Sequence, residues 1–450
     1  MKKSLLLFLF ITSISLQAQN FWTEVAPFAS NAEFPVSQIA IADANVVWVS
    51  GGHFDPVNLQ YTTAWSRSVD GGVTWTEGNI DLGNSILSVS SMFAVSETTV
   101  YVTAFVAAAG ADGGVYVTHD SGATWTEQPT AAFDGITSFP NFIHFWDASH
   151  GITAGDPESG YFEIYTTSDA GAHWTRIPEA NIPAPLQNEY GYSLYFETRG
   201  NAMWFGTNFG RIYKSNDMGV NWTVSQGPIA DFASAFVSGS FSFKNQNDGL
   251  LISNDWQFYR TSDGGATWNP DMSTTGVIRN RDVVFVPETN NTYFSWGSDI
   301  DTETRGSSYS TDGGMTWQDL NTVDDAPVEP HAVEFKSGMV GFCVGNYLGE
   351  SEQRFFRLTD PLNRLLKNDG FAAKAKFTAV PNPTTGLVKL SGAEINSVLV
   401  FDLSGKVVKT ESFNSLNEVT LNLSTFQNGV YFAKIIADNG TSFTLKIVKN

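Results

Sequence analysis

An eight-residue signature recurs six times along this 450-residue chain, at a nearly constant interval. It reads Ser/Thr-x-Asp-x-Gly-x-Thr-Trp, and successive aspartates are separated by 50, 49, 48, 46 and 49 residues. Repeats of about 40–50 residues with strand-like segments are typical of β-propellers, in which each repeat supplies one four-stranded blade. The signature therefore predicts an all-β propeller. Its six aspartates are Asp70, Asp120, Asp169, Asp217, Asp263 and Asp312.

Each copy follows a short strand-like segment and ends in a tryptophan that would begin the return strand. Within the turn, the aspartate can accept backbone N–H bonds, and the glycine supplies a position with positive φ. The tryptophan offers a large apolar face for burial between neighbouring blades. Two copies depart from the pattern, because His173 and Asn221 replace the threonine.

This motif resembles the Asp-box, or BNR repeat, of sialidases, sortilin, xyloglucanases and photosystem II assembly-factor-like proteins. In those families the box lies on the turn between the third and fourth strands of a blade, away from the active face. The resemblance therefore implies a structural role for the six aspartates.

The two ends of the repeat region predict how the ring closes. A step of 48 residues beyond Asp312 reaches Asp360, which follows Thr359 in a degenerate box without the glycine and tryptophan. The missing return strand is found near the N-terminus, where Phe21-Trp22-Thr23-Glu24 matches Thr74-Trp75-Thr76-Glu77. We therefore expect seven blades, closed by the N-terminal strand, with six or eight as alternatives. Closure removes the exposed sheet edges of an open array.

The first 18 residues are interpreted as a signal peptide. Met1-Lys2-Lys3 precedes a short apolar run over residues 5–11, and Ala18 is the expected cleavage residue. This run is too short to span a bilayer, and no later segment is long and apolar enough, so no membrane span is expected.

The last seventy residues differ in composition from the repeats and contain no box. Their motifs are Val380-Pro381-Asn382-Pro383, a two-strand segment over residues 398–408, Asn428-Gly429-Val430-Tyr431 and a final strand over residues 445–449. This order resembles the type A sorting domain of the type IX secretion system of Bacteroidetes. The resemblance implies a small β-sandwich at 379–450 that engages the secretion machinery and sends the chain outside the cell. The propeller would occupy residues 19–365 and a linker residues 366–378.

Composition restricts the partners of the chain. The formal net charge of −21 argues against nucleic acid, because phosphate binding needs clustered lysine and arginine. The single cysteine, Cys343, cannot form an internal disulfide and is expected to be a small buried residue. No cofactor and no metal ion are expected.

Chemistry or binding would lie opposite the boxes, in loops that join the second and third strands or consecutive blades. There, Gly155-Asp156-Pro157-Glu158 resembles a loop of secreted Asp-box proteins, and Asp156 with Glu158 could form the carboxylate pair of a glycoside hydrolase. The preferred alternative is a turn in which the aspartate caps the backbone. Tyr190 and Trp256 could stack on sugar rings or pack onto their own blades.

Three further groups of residues have weaker indications. Asp299, Asp301, Glu303 and Arg305 could bind a cation but fit a solvated acidic loop better. His53 and His331 could meet across the first and last blades in a metal or acid–base role, but two unrelated surface histidines are the preferred interpretation. Arg279 and Arg281 are the closely spaced arginine pair that could contact a ligand. A sialidase is not supported. The Arg-Ile-Pro triplet of that family lies ahead of the first box, whereas Arg176-Ile177-Pro178 follows the third box.

The expected function is that of a secreted or cell-surface propeller that binds a glycan or a protein. The alternative is a polysaccharide-active hydrolase with carboxylates on the face opposite the boxes. A scaffolding role like that of the photosystem relatives is a third reading, and the export signals weigh against it.

Overall fold

The computed structural model describes residues 21–28, 35–55, 60–106, 113–135, 137–299, 304–322, 327–359, 378–402, 406–437 and 442–450. The predicted signal peptide, Asp360, Asp301, Glu303 and residues 366–377 of the predicted linker lie outside these ranges. The chain divides into two compact units, Met1–Asn363 and Arg364–Asn450.

The first unit is built from seven sheets, which we number as blades in chain order. Its first strand, β1 (Trp22–Val25), belongs to the last blade. Blades 1 to 4 contain β2 (Val36–Ile41), β3 (Val47–Asp55), β4 (Gln60–Ser68), β5 (Thr76–Asn79); β6 (Leu87–Ala94), β7 (Val100–Val106), β8 (Gly114–Thr118), β9 (Thr126–Glu127); β10 (Pro140–Phe145), β11 (Gly151–Glu158), β12 (Tyr161–Thr167), β13 (Thr175–Arg176); and β14 (Gly191–Arg199), β15 (Ala202–Thr207), β16 (Arg211–Ser215), β17 (Trp222–Gln226).

Blade 6 has one strand more than the blades before it, a short segment that pairs in parallel with its outer strand. Short 3₁₀ helices span Glu179–Asn181 and Leu320–Thr322. Blades 5 to 7 contain β18 (Gly239–Phe243), β19 (Gly249–Ser253), β20 (Phe258–Thr261), β21 (Asn269–Pro270); β22 (Thr275–Gly276), β23 (Asp282–Phe285), β24 (Tyr293–Ser298), β25 (Arg305–Ser310), β26 (Thr316–Asp319); and β27 (Val328–Ser337), β28 (Val340–Tyr347), β29 (Arg354–Leu358) together with β1.

The first long strands of the blades line the centre of the ring. Contacts link β2, β6, β10, β14, β18 and β23 in order, and β27 contacts both blade 6 and β2. The ring of seven blades is therefore closed, as the sequence predicts. We call the end of the ring that carries the boxes the lower face, and the opposite end the upper face.

Closure depends on β1, which is the outer strand of blade 7. It pairs antiparallel with β29, from Trp22 opposite Leu358 to Val25 opposite Phe355. Trp22 is almost fully buried, and its ring lies 6.1 Å from that of Phe294 in blade 6. The predicted completion of the last blade by the N-terminal strand is confirmed.

The core lies between the blades, and the box tryptophans are part of it. Trp75 packs against Phe342 and Phe355 of blade 7, and Trp222 packs with Phe142 of blade 3. These tryptophans thus help to fill the interface with the preceding blade, as Trp22 does. Second strands such as β15 are buried along their whole length, because each sheet is covered on both faces.

The second unit is a five-stranded sheet that is nearly closed on itself, consistent with the predicted small β-sandwich. It contains β30 (Thr378–Val380), β31 (Leu387–Phe401), β32 (Val407–Asn422), β33 (Gly429–Ala437) and β34 (Ser442–Lys449). The long strand β31 pairs with β30, β32 and β33, so this one strand organises the sheet. Its core includes the buried side chains of Val388, Leu390, Val398, Leu421 and Ile435.

Candidate functional site on the upper face

The lower face is formed by the boxes, and each box aspartate folds its own turn. In the first box, the N–H groups of Val73 and Thr74 donate to Asp70 Oδ1 at 3.0 and 2.8 Å, and Thr74 Oγ1 donates to Oδ2 at 2.6 Å. Ser68 Oγ donates to Oδ1 at 2.8 Å. Hydrogen bonds from Thr74 above all hold the pKa of Asp70 well below its usual range. A carboxylate engaged in this way stabilises a turn and is not poised for proton transfer.

The other boxes repeat this arrangement. Hydrogen bonds from the residue four positions later lower the pKa of Asp120, Asp169 and Asp263 to about 2. At Asp217 and Asp312, burial opposes the effect, but hydrogen bonds still lower the pKa.

The two irregular boxes keep the bond that the missing threonine would make. His173 Nδ1 lies 2.7 Å from Asp169 Oδ2, and Asn221 Nδ2 donates to Asp217 Oδ2 at 2.7 Å. Both side chains supply a polar nitrogen where the other boxes have a threonine hydroxyl. The substitutions therefore preserve the turn.

The upper face of blades 4 and 5 carries a group of exposed apolar side chains. Phe236 is 90% exposed, and Leu186, Tyr190, Phe209 and Val237 are between 37% and 49% exposed. They lie in the loop that leads into β14, the turn between β15 and β16, and the loop that leads into β18. We call these five side chains the upper apolar patch.

Two asparagines in equivalent positions hold these loops in place. Asn208 accepts a hydrogen bond from the N–H of Tyr190 at 2.9 Å and donates to the Asn188 carbonyl at 3.0 Å. Asn254, which is 46 residues later, donates to the Phe236 carbonyl at 3.2 Å. Each asparagine ties the loop that enters its blade to the turn between the second and third strands. The patch thus rests on fixed loops.

A row of tyrosines joins the patch to the inner strand β14. The ring centroids of Tyr190 and Tyr192 are 5.4 Å apart, and those of Tyr192 and Tyr195 are 5.5 Å apart. The Tyr192 hydroxyl donates to Asp231 Oδ1 at 2.7 Å, in the loop that also carries Phe236. Burial raises the pKa of Tyr195 to about 12. The three loops of the patch are therefore connected through one strand.

The two carboxylates predicted for hydrolysis have different partners. Asp156 Oδ1 accepts hydrogen bonds from Asn141 Nδ2 at 2.8 Å and from the Gly191 N–H at 3.0 Å, and burial raises its pKa to about 6. Glu158 Oε2 accepts from Thr137 Oγ1 at 2.5 Å, and hydrogen bonds from Thr137 lower its pKa. Asp156 links blades 3 and 4, and the pKa values of the two groups move in opposite directions.

The two arginines predicted to contact a ligand lie in different environments. The Arg279 side chain is fully buried, with Nη2 2.7 Å from Asp319 Oδ1 and Nε 3.3 Å from Ser308 Oγ. This corrects the expectation for Arg279, because its guanidinium fixes blade 6 from inside and does not reach the surface. Arg281 is exposed at the start of β23.

Trp256 lies half-buried in the turn between β19 and β20. Its backbone is in the left-handed region, with φ of 61°, and its N–H donates to the Ser253 carbonyl at 3.0 Å. The indole nitrogen is covered and has no hydrogen-bond partner within the described ranges. The ring therefore packs partly onto its own blade, and Tyr190 is the more accessible of the two aromatic candidates.

The predicted acidic loop of blade 6 is described only at its ends. Asp299 is almost fully buried, and its N–H donates to the Thr304 carbonyl at 2.9 Å. Arg305 Nη1 lies 3.2 Å from Glu329 Oε1 of blade 7. These ends fasten the loop to the blades.

The remaining residues with a sequence-based prediction have separate surroundings. In the part of the chain that the structure describes, no hydrogen bond or ring contact joins His53 with His331. Arg176 lies over the ring of Tyr161, at 4.3 Å from its centroid. The described residues contain no group of three or more histidine, cysteine, aspartate or glutamate side chains placed to hold a metal ion. They also contain no helix long and apolar enough to cross a membrane.

Sequence reasoning missed most of the patch. Of its five side chains, only Tyr190 carries a prediction from the sequence, whereas Leu186, Phe209, Phe236 and Val237 carry none. One signal was present: Asn208 and Asn254 recur at the same 46-residue interval as the neighbouring boxes, which marks equivalent loop positions. No local sequence pattern shows that the apolar side chains of the patch are exposed.

Family models match one segment in each of the two units. Residues 378–450 match the model of the secretion system C-terminal sorting domain, and residues 308–319 match the BNR/Asp-box repeat. The chain is an Asp-box β-propeller with a type IX sorting domain. This domain directs the propeller through the type IX secretion system to the cell surface or the extracellular space. A search of curated proteins found no match.

Solved structures resemble the propeller in fold. YCF48 bound to D1 peptide aligns with 17% identity and a TM-score of 0.50, over 76% of this chain and 98% of that chain. YCF48 from Cyanidioschyzon merolae aligns with 14% identity and a TM-score of 0.48, over 75% and 98%. The GH74 enzyme of Niastella koreensis aligns with 14% identity and a TM-score of 0.35, over 75% and 61%. At these identities the likeness concerns the fold alone.

Proposed function

We propose that this exported propeller binds a glycan or a protein ligand on the upper face of blades 4 and 5. The observation that carries the proposal is the upper apolar patch, five exposed apolar side chains on loops held by Asn208 and Asn254. Apolar surface that is exposed and also fixed in position is typical of binding sites.

Two further features support a binding role. The patch lies on the face opposite the boxes, whose carboxylates are engaged in their own turns. The structure of YCF48 bound to D1 peptide shares this fold, so a propeller of this kind can hold a peptide. The export of this chain would place such a binding surface outside the cell.

A polysaccharide-active hydrolase is the second candidate, and one observation favours it. The pKa of Asp156 is raised to about 6 by burial, whereas the pKa of Glu158 is lowered by Thr137. Opposite shifts of two carboxylates are what an acid and base pair requires. Against this stands the engagement of Asp156 with Asn141 and Gly191, which gives it a structural task.

The experiment is a screen of the full chain against a polysaccharide panel and a peptide panel, recording both binding and released sugar. We expect binding without sugar release, weakened by Phe236→Ala and unchanged by Met272→Ala. Met272 is the matched control, because it is 93% exposed on a loop outside the patch. Sugar release that Asp156→Asn abolishes would instead establish the hydrolase. Binding that Phe236→Ala does not weaken would contradict the assigned surface.

A further inference from the structure

The upper apolar patch has the composition of a protein-binding surface. Besides aromatic rings it contains the aliphatic side chains of Leu186 and Val237, and Phe236 projects into solvent with 90% of its surface exposed. Single exposed apolar residues are ordinary on protein surfaces, but a group of them on adjoining loops marks an interaction site. A projecting phenylalanine fits an apolar pocket in a partner, and buried aromatic anchors dominate the energy of such interfaces.

The polar groups around the patch are already engaged with one another. The Asn208 side chain uses its oxygen and its nitrogen on the loop before β14, and Asn254 does the same on the loop before β18. The Tyr192 hydroxyl donates to Asp231. A sugar brings many hydroxyls, and each one buried without a hydrogen-bond partner weakens binding. An apolar protein surface needs no such partners, so these contacts favour a protein over a glycan.

The charge around the patch is negative. Asp231 lies in one of its loops and Asp255 in the neighbouring turn between β19 and β20, and neither forms an ion pair among the described residues. The buried Glu189 carboxylate pairs with Arg211 at 2.8 Å, so this pair adds no net charge. Arg281 follows Asn280, whose side chain donates to the Asn254 carbonyl in the turn that carries Asp255. The positive charge of Arg281 offsets one of the two carboxylates. The border therefore remains acidic, and complementarity calls for lysine or arginine around the partner's apolar centre.

The same charges argue against a second copy of this chain as the partner. A symmetric pair would bring the acidic borders of two patches together, and each chain has a formal net charge of −21. Like charges in an interface oppose association. A basic partner is attracted instead.

We infer that the upper apolar patch docks a protein whose contacting segment is apolar at its centre and rimmed by lysine or arginine. This inference rests on the proposed binding function and names the class of its ligand. Phe236 is the anchor, and Tyr190 and Phe209 complete the apolar contact.

The test uses three synthetic peptides with identical leucine and phenylalanine positions, whose remaining positions are lysine, serine or glutamate. Each is titrated against the full chain by calorimetry at low and at physiological salt. The lysine peptide is expected to bind about tenfold or more tightly than the glutamate peptide, and to weaken as salt increases. Phe236→Ala is expected to reduce its affinity about tenfold or more, whereas Met272→Ala leaves it unchanged.

Three results would overturn the inference: equal affinity for the lysine and glutamate peptides, no loss of affinity in Phe236→Ala, or no binding of any peptide. The polysaccharide panel distinguishes failure of this inference from failure of the proposed binding function. A polysaccharide that Phe236→Ala no longer binds would leave the binding function standing and assign the patch to a glycan. Absence of both kinds of binding would contradict both. Unchanged melting temperatures of the variants establish that they are folded.

Discussion

The carboxylates of Asp120 and Asp156 respond to this fold in opposite ways. Asp120 lies on the lower face, where the backbone and side chain of Thr124 donate to it and lower its pKa to about 2. Asp156 lies between blades 3 and 4, where burial outweighs two hydrogen bonds and raises its pKa to about 6. Local donors and burial thus decide whether an aspartate in this chain favours its charged or its neutral form.

The box aspartates predict acid sensitivity. A carboxylate whose folded pKa is depressed contributes stability above its unfolded pKa, and this contribution is lost as pH falls through the folded pKa. For Asp120, Asp169 and Asp263, with pKa values lowered from 3.8 to about 2, the loss falls between about pH 4 and pH 2. Thermal unfolding measured from pH 7 to pH 2 should show a steep decline in that window.

Asp120→Asn is the matched variant for this prediction. Its amide keeps an acceptor oxygen for the turn but removes the ionisation, so part of the pH dependence should disappear. A variant whose melting temperature falls with the same slope as that of the unsubstituted chain would contradict the role assigned to the box carboxylate.

Asp156→Asn is expected to have the reverse effect on stability. A carboxyl with a raised folded pKa costs stability as pH rises from its unfolded to its folded pKa, here from 3.8 to about 6. The asparagine oxygen can still accept from Asn141 and Gly191, so at pH 7 we expect the free energy of unfolding to rise by about 3 kcal/mol. Denaturant unfolding at pH 7 and pH 4 measures this, and the gain should vanish at pH 4. A loss of stability at both pH values would contradict this account.

The outer strand β1 determines whether the propeller is a ring or an open array. It comes from the far end of the chain and supplies Trp22 to the interface between blades 6 and 7. Its removal would expose the edge of β29, and unpaired edges promote aggregation.

Trp22→Ala should therefore destabilise the whole propeller. Loss of a fully buried tryptophan between two blades is expected to cost about 3–5 kcal/mol. Glu24→Ala is the control in the same strand, because the ion pair of Glu24 with Arg354 is partly exposed and such pairs contribute about 1 kcal/mol or less. Denaturant unfolding of both variants checks the prediction. Equal stability of the two would mean that β1 does not hold the ring closed.

Elements with local signatures could be predicted from the sequence, and elements that depend on distant contacts could not. The box turns, the number of blades and the closure by β1 follow from a periodic hairpin motif that carries its own hydrogen bonds. The burial of Arg279 depends on Asp319, which is forty residues away, and no sequence pattern showed it. The upper apolar patch combines three loops whose proximity arises only when blades 4 and 5 pack together.

The molecule as a whole joins an acidic propeller to a domain that sorts it for export. The sorting function resides in residues 378–450, which form their own compact core. Expressed in a host with a type IX secretion system, the full chain should reach the medium or the cell surface, and a chain that lacks residues 378–450 should remain inside the cell envelope. Immunodetection in cell fractions measures this. Export of the shortened chain would contradict the assignment.

The binding surface can be located directly by hydrogen–deuterium exchange of the full chain, with and without the lysine peptide. We predict slower exchange in residues 186–190, 207–211 and 231–238 when the peptide is present, and unchanged exchange in the box turns. The protection should disappear in Phe236→Ala and persist in Met272→Ala. Protection confined to the lower face, or protection that survives in Phe236→Ala, would contradict the claim that this propeller binds its ligand through the upper apolar patch.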